Sequence, residues 1–347
     1  MLRLDLLLFD IDGVLIDDSV SYRNATRVTV QTYLQDILGL TSSPRALVSP
    51  QDIAAFKLAG GFNDDWDVTT GILAYFLALL DAPALTAPRL QAPAEIIAYL
   101  QSAGRQIGTA VESLRQRKDI PSYARALRAQ GGGLAAARRM LGNRSDPLLF
   151  AEGDLRSTNL VARIFEEVYL GEELFAKTYG ESAIALHADG LIRRERLMIG
   201  KPAVEELARR AALGIATGRP RDQANYALEA AGIAGHFQAL VAREDFIASE
   251  EAHFKLTGQR TSLGKPHPFT LLQAARQIAP QGARCAYVGD TLDDVRAANA
   301  AKAEMDFISI ACLAPAEDKE SMRDEFEQLG ADAIVDHPDE LLKLIEK

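Results

Sequence analysis

Two cysteines and one tryptophan in 347 residues exclude several kinds of protein at once. Cys285 and Cys312 each sit in an apolar run, too few for a disulfide framework and without metal-site spacing, so both read as small buried hydrophobes. Positive charge is also scarce: 38 Lys and Arg against 48 Asp and Glu give a formal net charge of -10. Nonspecific nucleic-acid binding needs a basic surface that displaces counterions, so no nucleic-acid partner is expected. No run approaches the roughly 20 apolar residues of a membrane span, and the apolar N-terminus is broken by Arg3, Asp5 and Asp10 without a cleavage pattern. These absences predict a cytoplasmic location and no membrane partner, and leave the oligomeric state open. No internal repeat is evident. With 48% hydrophobic and 25% charged residues, the chain is globular and able to bury one or two sizeable cores.

What is present begins at the N-terminus, where Leu6-Leu7-Leu8-Phe9 runs into Asp10-Ile11-Asp12-Gly13. As a buried strand, the run puts both aspartates at its carboxyl end, where ligands bind in open α/β sheets. Carboxylates placed there are costly unless a cation or a reaction needs them. Gly13 invites a turn that splits their roles, one a nucleophile or metal ligand, the other an acid/base. Three further segments follow apolar runs. Leu213 to Ala216 leads into Thr217-Gly218-Arg219-Pro220, a hydroxyl and free N–H groups at a helix start, with Pro220 suited to the first turn. Lys265 lies in Gly264-Lys265-Pro266-His267-Pro268, where the prolines disfavour helix and suit a positioned ammonium. Cys285 to Val288 leads into Gly289-Asp290-Thr291-Leu292-Asp293-Asp294, a second acidic strand end that supplies a carboxylate for a hard cation such as Mg²⁺.

In order, the four segments resemble motifs one to four of the haloacid dehalogenase superfamily, subfamily I, with a helical cap inserted after motif one. Ser21-Tyr22-Arg23, Lys57 to Trp66 and Tyr169 to Phe175 resemble a small subgroup of that superfamily. The resemblance implies that Asp10 forms an aspartyl-phosphate and Asp12 is the general acid/base. It implies that Thr217 and Lys265 complete the catalytic set, with Gly218 at the phosphoryl oxygens. Mg²⁺ would be held by Asp10, Asp290 and the main-chain carbonyl of Asp12. Asp294 would orient that shell, with Asp293 competing for the role. Arg219 reads either as a phosphate ligand or as a helix-surface charge. His267 is at most a supporting residue. Arg23, Lys57, Asn63 and Trp66 are candidates for recognising the rest of the substrate, Trp66 alternatively serving as core.

The expected fold is α/β, a doubly wound parallel sheet with a large, mainly helical insertion. A discontinuous core covers 1–17 and 199–347. Its expected elements are a strand Leu4 to Asp10, a helix Pro202 to Ala212 and a helix Arg221 to Ala231 stopped by Gly232. A strand Gln238 to Val241 follows, then alternation through Phe269 to Gln277, Cys285 to Val288, Asp294 to Ala301 and Phe307 to Ile310, and a last helix Pro338 to Glu346. The cap covers 18–198. In it Ser49-Pro50 with Asp52 starts a helix and Gly60-Gly61 stops it, leaving Asn63 to Trp66 on a loop before a helix Val68 to Leu80. Extra helical material occupies about 81–150, with an Ala/Pro-rich linker Ala82 to Ala94 and a turn or hinge at Gly131-Gly132-Gly133. From Arg105 to Arg144, nine Lys/Arg face two Asp/Glu, either a solvated helical face or a surface for an anion.

The leading expectation is a Mg²⁺-dependent phosphatase acting on a small phosphorylated metabolite such as a sugar phosphate or amino-alcohol phosphate. Alternatives are a phosphomutase or phosphonatase using the same nucleophile, and a nonenzymatic phosphoaspartate receiver. Dehalogenation is disfavoured by Asp12 and the metal-binding carboxylates. A receiver places its acceptor after a later strand.

Overall fold

A computed structural model of the protein describes residues 2–41, 43, 45–62, 65–80, 90–107, 110–142, 148–151, 153–278, 282–316 and 318–346. The chain divides into two compact units. One combines Met1–Asp18 with Glu195–Lys347, and the other is Ser19–Arg194.

The first unit is built on a sheet. Its strands are β1 (Leu6–Phe9), β2 (Ile16–Asp17), β3 (Arg196–Leu197), β4 (Ala212–Ala216), β5 (Phe237–Val241), β6 (Arg284–Gly289), β7 (Asp306–Cys312) and β8 (Ala333–Val335). Six of them form one sheet in the order β5-β4-β1-β6-β7-β8, every neighbouring pair parallel. β2 and β3 form a separate antiparallel pair. Because successive side chains of a strand point to opposite faces, β1 feeds two cores. Leu7 and Phe9 join Ile215, Val288 and Ile310 on one face. Leu6 and Leu8 join Cys285, Tyr287 and Phe307 on the other. Both cysteines are free and buried, as expected.

The second unit is helical among its described residues: α1 (Tyr22–Gln31), α2 (Pro50–Ala59), α3 (Asp65–Ala78), α4 (Pro93–Gly104), α5 (Val111–Arg117), α6 (Ile120–Ala129), α7 (Gly133–Leu141) and α8 (Leu160–Tyr179). A π-helical turn, Thr32–Ile37, extends α1, and α8 is interrupted at Gly171. α2 starts where expected: the Ser49 side chain and Asp52 form a reciprocal capping box around Pro50, and Lys57 lies in the last turn. Gly60-Gly61 and Gly132-Gly133 press backbone to backbone, with Gly133 N–H donating to Gly60 O at 2.8 Å. A Cβ on Gly61 would sit 2.9 Å from Gly133 N, and one on Gly133 would sit 2.0 Å from Gly61 O. All four residues have positive φ, and at Gly61, Gly132 and Gly133 the close approach also excludes a side chain.

The sheet unit continues with α9 (Lys201–Arg210), α10 (Arg221–Ala231), α11 (Arg243–Thr257), α12 (Phe269–Ile278), α13 (Leu292–Ala301), α14 (Lys319–Gln328) and α15 (Leu341–Leu344). α9 and α10 bury Val204, Leu207 and Leu228 on one face of the sheet. α12 and α13 bury Leu271, Ala275 and Ala298 on the other, which is the doubly wound arrangement.

The structure corrects several expected bounds. β1 is shorter than Leu4 to Asp10. Ala212 opens β4 instead of closing a helix, and Pro220 is the N-cap residue of α10. The last helix is a 3₁₀ turn, Pro338–Glu340, followed by the short α15. Trp66 lies in the first turn of α3, not on a loop. Asn63, Arg144 and residues 82–89 of the expected linker lie outside the described residues.

Candidate active site

The carboxyl ends of the three central strands supply the site. Asp10 follows β1, its N–H donating to Val288 O of β6 at 2.9 Å. Its side chain is fixed at both oxygens: Ile11 N–H donates to Oδ1 at 2.8 Å, and Lys265 Nζ donates to Oδ2 at 2.7 Å. The same ammonium reaches Asp294 Oδ1 at 2.6 Å and the Tyr287 hydroxyl at 2.9 Å. Tyr287 in turn donates to Ala216 O, the last residue of β4, at 3.0 Å. One lysine therefore ties together elements from three segments distant in sequence.

The two N-terminal aspartates part company just before a turn at Gly13. Its φ of 72° turns the chain, and a Cβ there would lie 2.3 Å from Asp290 Oδ2. Asp10 faces Lys265, whereas Asp12 is held by Arg219, through Nη2 to Oδ1 and Nε to Oδ2 at 3.2 Å. The guanidinium also holds Glu195 Oε2 at 2.9 Å. With a side chain 3% exposed, Arg219 is neither a surface charge nor free to serve as a phosphate ligand in this arrangement. Its N–H donates to Thr217 Oγ1 at 3.2 Å. Thr217 is buried, and Gly218 beside it is exposed.

Asp294 and Asp293 separate clearly. Asp294 is the N3 residue of a capping box with Thr291 at the start of α13. Its Oδ2 accepts from Thr291 Oγ1 at 2.6 Å, Thr291 N–H at 3.0 Å and Asp290 N–H at 3.2 Å. Asp293 instead makes an exposed pair with Arg296, which removes it from contention. His267 caps α12 by accepting from Phe269 N–H at 3.2 Å.

Three carboxylates around one ammonium leave a surplus of negative charge. Burial pushes Asp10 up to about 6, helped by the charges of Asp294 and Asp12 and opposed by Lys265. Burial, then Asp294 and Asp10, raise Asp290 well above the usual carboxylate range. Burial also works against charge on Asp294, but Lys265 and the Thr291 hydrogen bonds outweigh it and hold that group low. Burial likewise opposes charge on Lys265, and Asp10 and Asp294 override it to hold its pKa high. Asp10, Asp290 and Asp294 offer oxygens that all lie within 4.8 Å of one another. The donor set is oxygen only, and no group among the described residues donates a hydrogen bond to the Asp290 carboxylate. That chemistry fits a hard divalent cation of the Mg²⁺ type. The Asp12 side chain, turned toward Arg219, is outside the cluster.

In the helical unit, Lys57 pairs with Asp65 at 2.7 Å. Trp66 Nε1 donates to Glu166 Oε1 at 3.2 Å. Trp66 also lines a cavity of about 780 Å³ with Arg138, Arg139 and Phe150. Arg23 lies in α1. Part of the basic stretch is structural: Arg115 donates to Ala46 O and Arg45 O, both at 2.6 Å, and Lys118 to Asp52 at 2.7 Å. No helix among the described residues is long and apolar enough to cross a membrane.

Sequence reasoning missed Tyr287 and Glu195 as members of the polar network. The Thr291-x-x-Asp294 spacing of a capping box was the available signal for Asp294 over Asp293. Glu195 carries no such signal.

A doubly wound parallel sheet with carboxylates gathered at its strand ends defines a Rossmann-like α/β architecture. The chain belongs to the haloacid dehalogenase-like hydrolase family, whose model matches residues 4–302. No curated protein matches the sequence. Among solved structures, a structural-genomics target of 20% identity superposes with a TM-score of 0.72 over 98% of each chain, which shows the same fold. A phosphatase from Thermococcus thioreducens is 20% identical, with TM-score 0.49 over 93% of this chain and 99% of its own. A haloacid dehalogenase-superfamily hydrolase of subfamily IA from Geobacter sulfurreducens is 15% identical, with TM-score 0.46 over 99% of this chain and 96% of its own.

Proposed function

We propose that the protein is a Mg²⁺-dependent phosphatase that hydrolyses a small phosphorylated metabolite through an aspartyl-phosphate on Asp10. The observation that carries this reading is the double fixation of the Asp10 carboxylate, by Ile11 N–H and Lys265, at the mouth of a parallel sheet. Asp10, Asp290 and the Asp12 carbonyl would hold the cation, which would neutralise phosphoryl and carboxylate charge. The remaining steps belong to the chain's own groups. An Asp10 oxygen attacks phosphorus, the ester P–O bond breaks, and Asp12 protonates the departing oxygen. Asp12 then takes a proton from water as that water attacks the phosphorus and frees Asp10. Lys265 stabilises the charge on Asp10 and on the transferring group, and Thr217 with Gly218 N–H binds phosphoryl oxygens. Asp294 holds Lys265 in place. Splitting one displacement into two makes each easier against a dianionic ester.

These groups account for the phosphoryl group and leave the alcohol portion to other contacts. A panel of sugar, amino-alcohol and simple alkyl phosphates, assayed for phosphate release with and without Mg²⁺, tests the reading. Release that requires Mg²⁺ supports it, and absence of release from every ester rejects it.

A further inference from the structure

We infer that Arg219 is the positioning residue of Asp12, and that Glu195 fixes Arg219 for this task. The inference rests on the phosphatase reading above, in which Asp12 transfers a proton. Three observations carry it. Arg219 grips both oxygens of Asp12, the fork geometry that only a guanidinium provides. The other side of the guanidinium is occupied by Glu195, through Nη1 to Oε2 at 2.9 Å and Nη2 to Oε1 at 3.1 Å. Arg219 and Glu195 are sequestered, with side chains 3% and 5% exposed, whereas the Asp12 side chain is 37% exposed. A buried pair thus presents a carboxylate to the open side of the turn. Each carboxylate oxygen has two lone pairs, so an oxygen held by Arg219 retains one for a proton in transit. The Arg219 N–H meanwhile holds Thr217 Oγ1, which ties the acid/base and the phosphoryl-facing hydroxyl to one residue.

The step at stake is proton delivery in phosphoenzyme formation. The Asp10–phosphorus bond forms, the ester P–O bond breaks, and the Asp12 proton goes to the departing oxygen. An alkoxide needs that proton, whereas 4-nitrophenolate is stable without it. Displacing Asp12 therefore penalises alkyl phosphates and spares 4-nitrophenyl phosphate. Damage to packing alone penalises both equally.

The experiment compares kcat/KM for the best alkyl phosphate and for 4-nitrophenyl phosphate in wild type, Arg219→Lys, Glu195→Gln and Asp12→Asn, with thermal unfolding of each. kcat/KM reports steps through phosphoenzyme formation, so a slow second half-reaction does not mask the bias. Arg219→Lys should lose roughly 10²-fold on the alkyl ester and less than about tenfold on the nitrophenyl ester. Glu195→Gln should show the same bias at smaller amplitude, and Asp12→Asn the largest. Equal losses on both esters, or no loss on either, would overturn the assignment while phosphatase activity in the wild type stands. If Arg219→Lys shows no cooperative unfolding, the bias in Glu195→Gln decides. A wild type that hydrolyses neither ester rejects the phosphatase reading and the positioning role with it.

Discussion

Both units bury charge, and they treat it in opposite ways. In the helical unit, Arg163, Glu166 and Glu167 of α8 are at most 2% exposed, and protein groups answer them. Glu167 accepts from Arg163 Nε at 2.9 Å and from the N–H groups of Ile184, Ala185 and Leu186 at 3.1, 2.7 and 3.2 Å. Arg163 also reaches Glu181 and Ser182 O. The sheet unit instead gathers Asp10, Asp290 and Asp294 around Lys265 and leaves the Asp290 carboxylate without a donor among the described residues. Neutralised buried charge holds a loop to a helix. Surplus buried charge is a standing demand for a cation, and that demand distinguishes chemistry from scaffolding.

Substitutions on the two sides should therefore separate activity from stability. Asp10→Asn should reduce phosphate release by about 10⁴-fold or more while unfolding remains cooperative; substantial turnover in a wild-type-free preparation would remove Asp10 as nucleophile. Glu167→Gln, on the helical side, should destabilise by about 2–4 kcal/mol in denaturant titrations, because Arg163 and three N–H groups lose a charged acceptor. A change below about 0.5 kcal/mol would show that the anchor matters little.

Asp290→Asn should raise the Mg²⁺ concentration for half-maximal activity by about tenfold or more, yet raise the melting temperature of the metal-free protein by relieving repulsion. Unchanged metal dependence would reject Asp290 as a ligand. Proton linkage gives a related prediction. The Asp10 pKa is raised in the folded state from 3.8 to about 6, so its neutral form is favoured there. A shift of this size corresponds to about 3 kcal/mol of metal-free stability that is present at low pH and lost as pH rises from about 4 through about 6. Mg²⁺ should consequently raise the melting temperature at pH 7.5 and have little effect at pH 5. Equal effects at both would contradict the linkage. The smallest effect is expected at the half-exposed Lys57–Asp65 pair. Lys57→Ala should change stability by less than about 1 kcal/mol, and its selectivity between a natural ester and a small generic one measures any part in recognition.

The centre of the sheet was legible because β1, β4 and β6 are short apolar runs that lead into Asp, Thr or Gly-Asp. The paired expectations for α10, α12 and β6 need no change in kind. Some elements lacked that signal. α11 has no buried residue among its fifteen, so it shows no apolar stripe to read. β8 is three residues long, and β2–β3 pairs segments on either side of the helical unit through two residues each. The site followed the same rule. Asp10 and Asp290 announce themselves by following apolar runs and Lys265 by preceding two prolines, whereas the Arg219–Glu195 contact depends on long-range geometry that spacing does not encode.

The position of β1 carries a consequence for synthesis. This strand is synthesised well before either of its partners, Ala212 to Ile215 and Cys285 to Val288. At typical translation rates the β6 partner follows roughly 280 residues and about 10–60 s later. Until the β4 partner has been made, four consecutive apolar residues have no strand to join, and Asp5 and Asp10 flank them. Acidic flanks of this kind act as gatekeepers against self-association of nascent chains. Asp10 thus stands where a gatekeeper of the nascent strand would stand, before the folded chain gives it any other work.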